Sequence, residues 1–298
     1  VYGMATTDFG HLRLTGGVRY ERTESETESY TLNFGPTGAY LGASRISSSR
    51  SYDDFFPSLV ATYRFTDRMM LRGGVTRSTA RPDYNQILGG RVVHDDVDRI
   101  TEGNPALQPL KATNADLSFE WYFTSAGMLS IGVFHKDITN FIYSTVSTLT
   151  DAPYTGWQLT RPMNGPHSTL TGLELSYTQN FRNLPAPFNA LGFSGNYTRL
   201  DGRSDLPSAR GSVDRLVEQP KDVYNLQLSY EKFPFSVRVA CVYNGDYIRN
   251  FNVSNAAQDA LVNELRTYDA SVNYTIRPGW VVYLQGKNLG NGLSKYVY

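Results

Sequence analysis

One cysteine, Cys241, stands among 298 residues, so no intrachain disulfide can form, and its setting reads as that of a small apolar strand residue rather than a nucleophile. No charge of one sign predominates. The 28 basic and 28 acidic residues cancel, which removes the electrostatic reason to expect nucleic acid as a partner. Long hydrophobic runs are missing too, and no segment approaches the roughly 18 to 20 apolar residues of a membrane helix. Mean hydropathy is −0.37, a value typical of soluble chains. A membrane β-barrel escapes both tests, because its apolar residues alternate with polar ones. At Val1 there is neither a basic n-region nor an apolar h-region, so Val1 reads as the middle of something longer. No G-x-S-x-G, P-loop or G-x-G-x-x-G occurs, and no Ser or acid/base constellation presents itself, so the chain is not expected to be an enzyme.

Aromatic residues are plentiful, with 21 Tyr and 15 Phe, and period-two alternation is the dominant pattern. Leu117, Phe119, Trp121 and Phe123 alternate with Asp116, Ser118, Glu120 and Tyr122. Leu12, Leu14, Gly16, Val18 and Tyr20 alternate with Arg13, Thr15, Gly17, Arg19 and Glu21. The same holds for Leu173, Leu175 and Tyr177, for Leu226, Leu228 and Tyr230, and for Tyr268 to Ile276. Helical periodicity is absent apart from a short turn expected at Asn255–Glu264.

Connections alternate as well. Six are short, near Asp8–Gly10, Thr66–Arg68, Thr124–Gly127, Arg182–Asn189, Lys232–Pro234 and Arg277–Gly279. Five long polar stretches separate them, roughly 31–52, 82–111, 145–167, 201–220 and 249–262. Six hairpins give twelve strands in the rhythm of an outer-membrane barrel, with tight turns at one end and long loops at the other. Several runs, such as His11–Thr23 and Met128–Ile142, exceed the ~5 to 6 residues of ordinary sandwich strands. No blade repeat of ~40 residues marks a propeller. The polar face carries Arg13, Arg19, Glu21, Arg64, Arg72, Glu120 and Glu174. Such charges are costly inside a small sandwich and cheap against a wet lumen.

Particular motifs add to the pattern. Ser78-Thr79-Ala80-Arg81-Pro82-Asp83-Tyr84 ends a strand and opens a long loop. Glu102-Gly103-Asn104-Pro105-Ala106-Leu107-Gln108-Pro109-Leu110 follows, then Ser118-Phe119-Glu120-Trp121-Tyr122-Phe123 and Phe134-His135-Lys136-Asp137-Ile138. Gly286-Lys287-Asn288-Leu289-Gly290-Asn291 lies near the end. Gly103 and Asn104 are expected to supply turn conformations, and Pro105 and Pro109 to fix φ on the way into a strand.

This series, spread over nearly the whole chain, resembles the TonB-dependent receptors, in wording closest to a proteobacterial branch linked with carbohydrate uptake. The resemblance implies an all-β fold, an antiparallel transmembrane β-barrel of roughly 22 strands with a plugged lumen. Residues 1–298 then read as part of one barrel domain, approximately its tenth to twenty-first strands, with no plug domain in this chain. It also implies a place in the outer membrane of a Gram-negative bacterium, in contact with its lipid. TonB engages such receptors through the N-terminal region, which this chain lacks. The implied function is import of a scarce solute, an oligosaccharide or an iron chelate such as a siderophore or haem. A passive porin-type channel and a soluble β-sandwich binding module are the alternatives. No cofactor is expected.

Carbohydrate sites stack rings on aromatic faces and use planar polar groups. Arg81, Asp83, Tyr84, Tyr154, Trp157, Tyr247, Arg249 and Asn252 lie at strand tops or in loops and are the candidate substrate-binding residues. His94, Asp95, Asp96 and Asp98 form an acidic loop cluster whose spacing fits no EF-hand. His11, His135 and His167 are too scattered for a metal site, so none is expected.

Overall fold

A computed structural model describes residues 1–34, 39–94, 96–206, 211–252 and 256–297. In chain order the strands are β1 (Tyr2–Phe9), β2 (Leu12–Phe34), β3 (Tyr40–Thr66), β4 (Met69–Ala80), β5 (Arg91–His94), β6 (Arg99–Glu102) and β7 (Leu110–Thr124). Next come β8 (Gly127–Thr139), β9 (Ile142–Thr148), β10 (Gln158–Asn164), β11 (His167–Asn180), β12 (Leu191–Asp205), β13 (Ser212–Val213) and β14 (Asp222–Lys232). The last are β15 (Phe235–Asn244), β16 (Tyr247–Asn252), β17 (Ala260–Val262), β18 (Leu265–Arg277), β19 (Trp280–Gly286) and β20 (Tyr296–Val297).

Two sheets result. The first, here the wall, runs β1-β2-β3-β4-β7-β8-β11-β12-β14-β15-β18-β19, with β13 attached to β12. Each wall strand pairs antiparallel with the next, so the six expected short turns and twelve strands are all present. Gly10 and Gly279 sit in the first and last turns at φ 59° and 85°, where a Cβ would be strained. The outer edges of β1 and β19 are unpaired among the described residues, so the sheet is open.

Register carries the alternation across strands. Leu117, Val133, Leu173 and Arg199 form one row, and Phe119, Ile131, Leu175 and Tyr197 the next. Leu226 and Leu228 face the same way, opposite Gly195 and Phe193. One wall face is therefore a largely apolar band, interrupted at Arg199, and Leu117, Leu173, Leu175, Leu226 and Leu228 stay 40–50% exposed on it. The other face bears Arg72, Glu120 and Glu174, with Arg72 and Glu120 paired at 3.5 Å. Among the described residues no second layer covers the apolar band, which rules out the β-sandwich.

The second sheet was not foreseen. Its order is β20-β17-β16-β9-β10-β6-β5, drawn from stretches that read as irregular loops. Strand β8 does not run on to Ile142 as expected. It stops at Thr139, Asn140 takes φ 57°, and the chain re-enters as β9 in the other sheet. The stretch 31–52 is also mostly strand, because β2 and β3 continue as a paired ribbon of 23 and 27 residues. Within Asn255–Glu264 only a 3-10 turn at Ala256–Gln258 forms before β17 begins; Asn255 lies outside the described residues.

Burial concentrates where the second sheet leans over the wall. Ala112, Ile138 and Ser168 share a row on the polar face and are buried. Phe141, Tyr143, Ile248 and Phe251 of the loop sheet pack there with Leu170 and Leu206. Phe141 and Tyr143 rings stack at 5.2 Å, and burial pushes the Tyr143 phenol above its ordinary pKa.

Candidate functional site

The loop sheet has two unlike faces. On β6, Ile100 is fully buried, while the flanking Arg99 and Thr101 point the other way. Parallel pairing sets Arg99 beside Gln158 and Thr101 beside Thr160. Thr160 faces Val146, and Val146 faces Asn252. The row Thr101–Thr160–Val146–Asn252 thus crosses four strands and forms the floor of a cavity of about 640 Å³. Arg99, Gln158, Arg249, Asn250, Gln258 and Ala260 complete its lining, with the buried Phe251 at its base.

This lining presents two guanidinium groups and a set of amides and hydroxyls, with no carboxylate among the lining residues. Asn252 is preset: its backbone N–H donates to Asp259 Oδ1 at 2.8 Å and its Nδ2 to Gln258 Oε1 at 3.0 Å. Such a cavity suits an anionic or strongly hydrogen-bonding solute, because Arg offers bidentate donors and remains charged.

Of the eight residues expected to bind substrate, Arg249 and Asn252 line this cavity. Tyr247 starts the same strand. Tyr154 and Trp157 meet with ring centroids 5.0 Å apart at the tip of the β9–β10 hairpin, next to the cavity residue Gln158. The other three lie elsewhere. Arg81 reaches across to β2, donating to Glu21 Oε2 at 2.8 Å and Thr23 Oγ1 at 2.9 Å. Asp83 precedes a one-turn helix, α1 (Tyr84–Ile87), and its backbone N–H donates to Gln86 Oε1 at 2.9 Å. Tyr84 is 81% exposed. Arg99, Thr101, Gln158, Thr160, Asn250 and Gln258 were not anticipated. β6 (Arg-Ile-Thr-Glu) and β10 are short and carry no marked alternation, and their parallel pairing joins segments about 60 residues apart.

The Gly-Asn-Pro segment acts as a strut beneath the cavity. Asn104 is buried; its Nδ2 donates to Pro162 O on β10 at 3.0 Å and its Oδ1 accepts from Ala106 N–H at 3.0 Å. The expected turn forms, with Leu107 N–H donating to Asn104 O at 3.1 Å, and Gly103 enters it without a positive φ. It permits close approach, since a Cβ there would lie 1.9 Å from Leu88 O. Likewise Asn288 and Asn291, at φ 50°, close a tight turn just after β19. Asn288 Nδ2 donates to Gly292 O at 2.9 Å, and its backbone N–H clips the turn to Asp269 on β18 at 2.7 Å. Among the described residues no group of three His, Cys, Asp or Glu side chains is placed to hold a metal; Asp95 lies outside them.

The family model described as TonB dependent receptor-like, beta-barrel matches residues 1–289. No curated protein matches the chain. Among solved structures, the ferric-catecholate import receptor Fiu of E. coli K12 superposes with TM-score 0.70 at 18% identity, covering 97% of this chain and 40% of that one. The ferric citrate transporter FecA gives 0.66 at 16%, covering 97% and 39%. The hemophore receptor HasR of Serratia marcescens, solved with its hemophore HasA and heme, gives 0.64 at 15%, covering 97% and 47%. The chain therefore spans less than half the length of these structures, and at such identity the likeness is one of fold.

Proposed function

The chain belongs to the TonB dependent receptor-like β-barrel family, and from that premise we propose that it works in TonB-dependent import of a small solute across the outer membrane of a Gram-negative bacterium. The family is one of receptors and transporters, not enzymes. In this reading the wall belongs to one barrel domain. Its apolar band meets lipid, its charged face lines a wet lumen, and the loop sheet lies on the outside of the cell. TonB acts on the receptor from the periplasm, as in the family, and distinguishes it from a passive porin-type channel.

One observation carries the assignment of the binding surface: the 640 Å³ cavity, with Arg99 and Arg249 among amides, sits on strands made largely from the long loops, on the face of the loop sheet opposite its packed core. An anionic iron chelate, of the kind named for Fiu and FecA, suits two guanidinium groups. An oligosaccharide is the second reading, favoured by the Tyr154–Trp157 pair beside the cavity.

The test is solute binding and uptake by the full-length receptor carrying Arg99→Gln, Arg249→Gln or Trp157→Ala, at equal surface level by antibody. Loss of one charged contact is expected to weaken an anionic chelate about tenfold or more. If both arginine variants bind chelates and oligosaccharides normally, the cavity is not the binding site. If only Trp157→Ala weakens binding, and for oligosaccharide, the second reading replaces the first.

A further inference from the structure

The loop-sheet cavity carries its two charges at opposite ends. Arg99 stands on β6 and Arg249 on β16, with β10 and β9 between them, so three strand spacings, roughly 14 Å, separate their backbones. They are staggered along the strands as well. From the row Thr101–Thr160–Val146–Asn252, Arg99 lies two residues towards Gln158 and Thr148. Arg249 lies three residues the other way, because β16 runs parallel to β9, and β9 antiparallel to β10. That offset adds roughly 16 Å along the strands, so the two Cα atoms stand roughly 20 Å apart.

A bulge aims Arg249 into the cavity. Ile248 pairs with Leu261 and Asn250 with Ala260, which leaves Arg249 as the extra residue. Ile248 is buried in the core, whereas Arg249 and Asn250 both line the cavity. Re-aiming a side chain is what such an insertion does to a strand.

Between the two arginines the lining is uncharged. Thr101, Thr160 and Asn252 supply hydroxyls and an amide. Gln258 accepts from Asn252 Nδ2 at 3.0 Å through its Oε1 and so keeps its NH2 group as a donor. Carboxylates next to the lining residues in sequence do not join them. Glu102, on the face opposite Thr101, accepts from Arg91 Nε at 2.6 Å, and Asp259 is buried and accepts the Asn252 N–H. Aromatic faces are missing too. Among the described residues Phe251 is the one aromatic in the lining, and it is fully buried, while Tyr154 and Trp157 do not line the cavity.

Guanidinium groups anchored so far apart are placed to take one carboxylate each, through two bidentate forks. A single compact anion engages one of them. A flat aromatic solute finds no face to stack on.

We propose that the solute of this cavity carries carboxylates at two separated ends of an aliphatic, hydroxyl-bearing frame. The carboxylates meet Arg99 and Arg249, and the hydroxyls between them meet Thr101, Thr160 and Asn252. An oligosaccharide of uronic acids and a chelate with carboxylates at its periphery share this chemistry. The inference rests on the reading of the cavity as the solute site given above.

The experiment is calorimetric titration of the purified full-length receptor with trigalacturonate, galacturonate, maltotriose, and the ferric complexes of a bis-citryl diamine and of a tricatecholate. Trigalacturonate or the bis-citryl complex is expected to bind, and which of them binds identifies the source. Arg99→Gln and Arg249→Gln, both at exposed positions, are each expected to weaken that ligand about tenfold, and the double variant about a hundredfold, because the two ends act independently. Galacturonate, with one carboxylate, should respond to no more than one of the two substitutions. Failure of both two-ended ligands to bind, equal affinity for maltotriose, or a loss confined to one arginine overturns the proposal. Tricatecholate binding that depends on both arginines overturns the carboxylate class and leaves the cavity as the site. Binding of any of these solutes at full strength by the double variant marks failure of the cavity reading itself.

Discussion

The wall and the loop sheet solve the same problem in opposite ways. Wall strands pair antiparallel in sequence order, every second connection a short turn, and leave their apolar face uncovered, with Leu173 and Leu228 at 41% and 50% exposure. The loop sheet joins distant segments, twice in parallel, and builds a dry core around Phe141, Tyr143, Ile248 and Phe251. A surface destined for lipid needs no protein to cover it, whereas loops held in water must bury their own apolar groups to stay ordered. Substitutions should therefore have effects that depend on which region they fall in.

The largest effect is expected from Phe251→Ala. Its side chain is fully buried between the loop sheet and the wall, and truncation should cost about 3–5 kcal/mol of local stability. Hydrogen exchange should show the loop strands opening while heat-modifiable barrel mobility on gels stays unchanged. Equal loss of both would mean the two regions unfold together.

Next is Leu173→Arg, on the apolar band, expected to cost about 2–4 kcal/mol of insertion free energy. Glu174→Arg, one residue on and on the polar face, should cost far less. Folding titrations into lipid vesicles compare the two, and equal penalties would erase the distinction between faces.

Asn104→Ala leaves Ala106 N–H without its acceptor and removes the tie to Pro162 on β10, at an expected cost of about 1–3 kcal/mol. Increased protease cutting within residues 82–111, with binding weakened in proportion, is the outcome to look for.

The smallest effect concerns the ribbon formed by the upper parts of β2 and β3. The Tyr30 hydroxyl, and then Arg45, hold the Glu28 carboxyl below its ordinary range. A lowered carboxyl stabilises the fold above its unfolded value and ceases to do so as pH falls through the folded one. Proteolysis of the ribbon by an acid-active protease should therefore rise at strongly acidic pH and less so in Glu28→Gln. The pairs are exposed, so the difference should be slight.

Much of the wall was legible from sequence because its rules are local. Period-two alternation names the faces, and turn residues such as Gly10 and Gly279 name the hairpins. The loop sheet was not legible, because β6 and β10 are four and seven residues long and meet across a gap that no local pattern encodes. Arg249 and Asn252, which line the cavity, were expected to bind solute as polar residues at a strand top. Arg99 and Gln158 were missed because only the parallel register brings them beside each other. Arg81, also expected to bind solute, ties the end of β4 to Glu21 on β2, because a guanidinium at a strand end can hold a loop as readily as a ligand.

A wall that separates lipid from a wet interior does so strand by strand, with neighbouring residues facing opposite media. Single spin labels at positions 117 to 121 and 173 to 175 of the full-length receptor in bilayers measure it directly, through collision with oxygen and with a water-soluble nickel chelate. Oxygen accessibility should peak at Leu117, Phe119, Trp121, Leu173 and Leu175, and chelate accessibility at Ser118, Glu120 and Glu174, a strict alternation of period two. The reverse phase, or accessibility that does not alternate, would contradict it.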